Sequence, residues 1–168
     1  MRFRFWLVVL FFALPAVAQV RLGRTTTSLG IPALHLPRPM LRRIIRDSGR
    51  IFAGTVTNVQ HVQGGSGVPI TRVTLRIDEA IRGVRKGQSV QITEWGGLWQ
   101  AGERYRTGEH VLLFLYPQSK LGLTSPVAGA LGRWSIQGDE NQAKPVGTHI
   151  QRSQLRAVAA SLRQAARE

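Results

Sequence analysis

No cysteine occurs among the 168 residues. That excludes a disulfide framework, a thiolate zinc site, a cysteine nucleophile and a lipid-modified N-terminal cysteine. Acids are scarce, nine against 23 lysines and arginines, and lysine is nearly missing, three against 20 arginines. Aromatic residues are 7%, and few fall on alternating strand faces where a single-strand-binding barrel would stack bases. No apolar run reaches the roughly 20 residues of a membrane span. No internal repeat is apparent. The apolar fraction, 43%, is enough for one packed domain of ordinary size.

What is there begins with an export pattern. Arg2 and Arg4 precede an unbroken apolar run at 5–14, Pro15 ends it, and Ala16-Val17-Ala18 is a small-residue cleavage site. The sequence therefore predicts a signal peptide at 1–18, no transmembrane span after its removal, and a periplasmic or extracellular mature chain. The n-region has no twin-arginine pair, so folded export with a bound cofactor is not indicated.

Residues 19–38 mix Thr, Ser, Gly and Pro without periodicity and read as a flexible arm. Pro39 then opens a short helix in which Met40, Leu41, Ile44 and Ile45 form one apolar stripe, and Gly49 suits its stop. From 51 the pattern is β, with Gly54 as an expected bulge. Val73, Leu75 and Ile77 alternate with Arg72, Thr74, Arg76 and Asp78, a half-buried strand. A third strand is expected at 89–95. The run at 110–116 is continuously apolar and reads as the most buried strand. Two more short strands are expected at 121–125 and 131–136, then a polar loop at 139–145. Leu155, Val158, Ala159 and Leu162 make the apolar stripe of a C-terminal helix within 150–168, with Ser153 as its N-cap. The fold class expected is mainly β: a small antiparallel barrel of five or six strands flanked by an N-terminal and a C-terminal α-helix, because closure removes exposed strand edges. The domain is placed at 39–149.

The runs IFAGTVTNV, VTLRIDEAIRGVRKGQSVQI, RYRTGEHVLLFLYP and LGLTSP resemble the OB-fold module shared by tissue inhibitors of metalloproteinases and netrin C-terminal domains. Residues 51–59, 73–83 and 108–114 occupy that module's strand positions, and the resemblance covers roughly 50–136. It implies an OB-like barrel and, as an alternative function, protease inhibition. The eukaryotic inhibitors act through an N-terminal cysteine. This chain has none, so no inhibitory residue carries over. It looks more like cysteine-free exported bacterial proteins carrying the same module.

No catalytic constellation stands out. Ser66 lies in a flexible glycine turn, and His35, His61, His110 and His149 are widely separated without metal-ligand spacing. Glu94 and Glu103 are the one acid pair that flanks a loop, and a hydrolase would need them opposed across a cleft. The reading is a non-enzymatic binding module with no cofactor and no metal. The loop at 94–106 concentrates Trp95, Trp99, Arg104, Tyr105 and Arg106. These five are candidate partner contacts, although Trp95 and Tyr105 also suit a cap on the barrel core.

The net charge of +14 suggests a nucleic acid or another anionic surface. Its distribution decides between them. Residues 51–149 hold only +3, against +6 over 19–50 and +3 over 150–168. A balanced barrel with basic flanks disfavours nucleic acid tracking through a groove. It favours a macromolecular partner, a protein or the anionic envelope surface, met by Arg42, Arg43, Arg46, Arg156, Arg163 and Arg167.

Overall fold

The computed structural model describes residues 36–65, 67–100, 105–138 and 149–167. The expected signal peptide, nearly all of the arm, Glu103, Arg104 and the whole polar loop at 139–145 lie outside these residues, as does the Trp99 side chain.

Helix α1 spans Arg38–Asp47, with Pro39 at its start, where the missing N–H costs nothing. Leu41, Ile44 and Ile45 are buried, whereas Met40, expected on the same stripe, is exposed. Strand β1 is Arg50–Gln63 and β2 is Pro69–Arg82. A glycine turn joins them, closed by Gly64 N–H donating to Val68 O at 2.8 Å. Strand β3 is Ser89–Trp95, followed by a five-residue helix α2, Gly96–Gln100. Strand β4 is His110–Leu115, β5 Arg133–Gln137 and β6 His149–Gln151, and helix α3 spans Leu155–Ala165.

The strands form one six-stranded sheet in the order β3-β2-β1-β4-β5-β6. Four pairs are antiparallel, and β5 with β6 is parallel. Two expectations change here. The sheet is mixed rather than wholly antiparallel, and its ladder is open, with β3 and β6 at the ends. The segment 121–125 is no strand: Ser119 Oγ accepts the N–H groups of Leu121 and Leu123 and closes a turn. Its neighbour Pro126, which has no N–H for a ladder, makes only an isolated bridge to Leu115. Leu131 belongs to a 3-10 turn, so β5 starts two residues later. Ser153 also sits in a 3-10 turn, and α3 begins without a side-chain cap.

Two apolar cores occupy opposite faces of the sheet. On one, Ile51, Ala53, Leu112, Phe114 and Ile136 meet Leu41, Ile44 and Ile45 of α1 and Val158 and Leu162 of α3. On the other, Phe52, Val56, Val73, Leu75, Ile77, Ile92, Val111 and Leu113 pack on one another together with Tyr105. Strand β4 is buried on both faces, which is why its sequence shows no alternation. Gly54 sits at a register shift of β1 against β2, as the bulge expectation required. A Cβ there would lie 2.6 Å from Arg76 O, so only glycine permits this approach of two backbones.

Candidate anion-binding groove

Burial of Leu41, Ile44 and Ile45 against the sheet fixes how α1 is rotated, and the opposite stripe must then face out. That stripe carries Arg42, Arg43 and Arg46, all exposed. Helix α3 docks on the same face of the sheet, so the C-terminal ends of both helices converge. Arg82, the last residue of β2, lies where they meet. Its Nη1 donates to Ile45 O at 2.6 Å and Ser48 O at 3.2 Å, and its Nη2 donates to Ala166 O at 2.7 Å. Carbonyls at a helix end have no partner within the helix and carry its partial negative charge. One guanidinium satisfies three of them and joins the two helices.

Between these ends lies a groove of about 880 Å³. Five arginines line it, Arg38, Arg42, Arg43, Arg46 and Arg82, together with Pro39, Ile45, Ala165 and Ala166, and among the described residues no acid lines it. Asp47 stands beside it and pairs with Arg46 Nε at 3.0 Å and Arg43 Nε at 3.8 Å. Arg38, Arg42 and Arg46 are spaced i, i+4, i+8, a row with steps of about 6 Å along the helix. Like charges at this spacing repel and weaken a helix. An anion in the groove would relieve that repulsion, and guanidinium forks suit carboxylate and phosphate oxygens.

No protein-family model matches this sequence, and a search of curated proteins finds no match. The groove is therefore read from its own chemistry.

The other expected contacts are dispersed. Arg156 and Arg167 are exposed and outside the groove. Arg163 turns inward: Nε donates to Ala80 O at 2.8 Å and Nη2 to Glu79 Oε2 at 2.8 Å. Lys86 Nζ reaches the other oxygen of Glu79 at 3.1 Å. Burial pushes the Glu79 carboxyl up, but the hydrogen bonds and charges of Lys86 and Arg163 outweigh it and hold the group below its ordinary value.

The aromatic cluster expected at 94–106 divides by strand alternation. Glu94 is in phase with the buried Val90 and Ile92 and is 1% exposed. Tyr105, 2% exposed, is buried beside it and donates its hydroxyl to Glu94 Oε1 at 2.8 Å. The Arg133 guanidinium lies 4.5 Å from the centre of the Tyr105 ring and gives Nη2 to both oxygens of Glu109 at 2.8 Å. Tyr105 is thus part of the core, and Glu94 is enclosed rather than facing a cleft. Arg106 is exposed at the turn that Glu109 closes. Trp95 points the other way, 53% exposed, and lines a second cleft with Leu98, Tyr116 and Pro117.

One cluster was missed in the sequence. Thr55, Asp78 and His110 meet across β1, β2 and β4. Thr55 donates its hydroxyl to Asp78 Oδ2 at 2.7 Å, and His110 Nδ1 lies 2.9 Å from the same hydroxyl. With that proton engaged by the Asp78 carboxylate, the hydrogen shared with His110 is the one on Nδ1, donated to the hydroxyl oxygen. The cluster lines neither the groove nor the second cleft. Among the described residues no group of three His, Asp or Glu side chains is placed to hold a metal ion, and no helix is long and apolar enough to cross a membrane.

Proposed function

We propose that this chain is an exported, non-enzymatic OB-like binding module that engages an anionic surface of the cell envelope through the arginine groove. The observation that carries the reading is the convergence of five arginines, with no acid in the lining among the described residues, where α1 and α3 meet. The OB-like part rests on the strand order β3-β2-β1-β4-β5 and on a face of the sheet that packs on itself. Thr124 N–H donates to Thr93 O of β3 at 2.8 Å, a single bond that draws the segment after β4 toward the far edge. A bond that reaches across the open ladder in this way supports the OB-like reading.

The test is vesicle binding by the mature chain, 19–168. Vesicles rich in phosphatidylglycerol should bind it, with affinity falling as salt rises, and phosphatidylcholine vesicles should not. Reversing Arg42, Arg43 and Arg46 to Glu should abolish binding, whereas Arg156→Glu with Arg167→Glu should leave most of it. Equal binding by the first triple variant would overturn the groove as the contact.

A further inference from the structure

The arginine groove is larger than one anion needs. Its volume of about 880 Å³ is that of a site for a whole small molecule. Its charge is also spread along its length, because the arginines at its two ends cannot gather at one point. Arg46 Nε donates to Asp47 Oδ1 at 3.0 Å, and Arg82 is held by Ile45 O, Ser48 O and Ala166 O. Both therefore stay at the C-terminal end of α1. Arg38, half-buried in the first turn, lies eight residues and about 12 Å from Arg46 along the helix axis. Arg42 stands midway. The row thus offers two intervals for anions, Arg38 to Arg42 and Arg42 to Arg46, with Arg82 adding its charge to the second. Apolar groups accompany the charges. Ile45, Ala165 and Ala166 share the lining, and Pro37, Pro39 and Met40 at the start of α1 are exposed. Arginines beside exposed apolar side chains suit the boundary between lipid headgroups and acyl chains.

We propose that the groove takes the headgroup of a lipid with two phosphodiesters joined by one glycerol bridge, as in diphosphatidylglycerol. This rests on the anionic-surface reading above and names the ligand within that surface. The three-carbon bridge holds the two phosphates on the order of one four-residue helical step apart. One phosphate meets Arg38 and Arg42, the other Arg42 and Arg46, through forked hydrogen bonds. The acyl chains leave past Pro39 and Met40 toward the bilayer. Once the first phosphate is bound, the second contact is intramolecular, so no second lipid has to be captured. Two separate phosphatidylglycerol molecules could supply the same charges, but each would have to be held in place on its own. An acidic helical peptide with carboxylates four residues apart is the competing polyanion. It matches the step of the row, but its charged face gives Pro37, Pro39 and Met40 no apolar cover, whereas a bilayer does.

The experiment compares phosphatidylcholine vesicles doped with diphosphatidylglycerol or with twice as much phosphatidylglycerol, so that the charge is equal, at one salt concentration. The mature chain should bind the bridged lipid about tenfold more tightly. Arg46→Gln, which removes one interval of the row, should erase that preference and keep much of the phosphatidylglycerol binding. Met40→Ser should weaken binding to both vesicles without changing their ratio. Polyglutamate and soluble glycerol bisphosphate, added as competitors, should displace the protein only in large excess over lipid. Equal affinity for the two vesicles would overturn this proposal and leave the groove as an unselective anionic contact. Undiminished binding by the Arg42, Arg43 and Arg46 reversal would instead remove the groove itself. Displacement by polyglutamate at concentrations comparable to lipid would assign the groove to an acidic peptide, and displacement by glycerol bisphosphate to a free anion, and either would overturn the lipid.

Discussion

Tyr105 donates its phenolic hydroxyl to Glu94 Oε1 across 2.8 Å, and both side chains are almost wholly buried. A carboxylate removed from water needs its acceptor sites filled. Tyr105→Phe keeps the ring, its packing and its contact with Arg133, and deletes only that donor. The expected loss is about 1–3 kcal/mol of unfolding free energy, read from urea denaturation. A loss no larger than that of Trp95→Phe at the exposed neighbouring position would show that the bond contributes little.

Arg82 holds three carbonyls from two helix ends. Arg82→Met fills similar volume and removes their charged donor, leaving Ile45 O only the Ser48 N–H at 3.3 Å, and the expected cost is about 2–4 kcal/mol, because bonds from a charged donor exceed neutral ones. Amide exchange should quicken first in the last turns of α1 and α3. Arg82→Lys keeps the charge without the fork and should recover only part of the loss. Uniform exchange across the molecule in Arg82→Met would remove the local role.

The lowered Glu79 carboxyl predicts an acid dependence of stability. A group whose pKa is lower folded than unfolded stabilises the fold fully above its unfolded value. It loses that contribution as pH falls from about 4.3, the ordinary Glu value, through the lower folded one. Glu79→Gln should therefore show a shallower fall in stability over that acid window than the parent. Superimposable acid profiles of the two proteins would contradict the assignment.

Gly54 supports the crossing of β1 and β2, where a Cβ would meet Arg76 O at 2.6 Å. Gly54→Ala should destabilise by roughly 2 kcal/mol or more, since both colliding groups are backbone and cannot rotate away. Gly65→Ala, in open space at the hairpin turn, is the control, and its thermal midpoint should stay near that of the parent.

Much of this fold is written in local pattern. The alternation of Val73, Leu75 and Ile77 and the continuous run of β4 are each dictated by which side chains must leave water. The division between Glu94 and Trp95 was legible too, since Glu94 keeps the phase of Val90 and Ile92. The arginine groove was only half legible. Arg42, Arg43 and Arg46 show as the polar stripe of an amphipathic helix. Arg82 reads as one more solvent-facing strand residue, because its partners are carbonyls that every residue possesses. The Thr55, Asp78 and His110 cluster depends on the register shift beside Gly54, which no spacing encodes. Strand β6, three residues long, has too few positions to show any period.

Strand β1 pairs along both of its edges. Ile51 stands opposite Arg82 on one side and Phe114 on the other. The first pairing belongs to a hairpin and needs little chain to close. The second must wait for residues far downstream, and the bonds of Arg82 and Arg163 to the opposite ends of the chain and of β2 each span more than 80 positions. Loop closure on that scale precedes any gain from contact. Folding should then run in the millisecond-to-second range of non-local β proteins, with the hairpin formed early and both helices docking late. A nascent chain would keep its interior open until nearly the whole sequence had emerged.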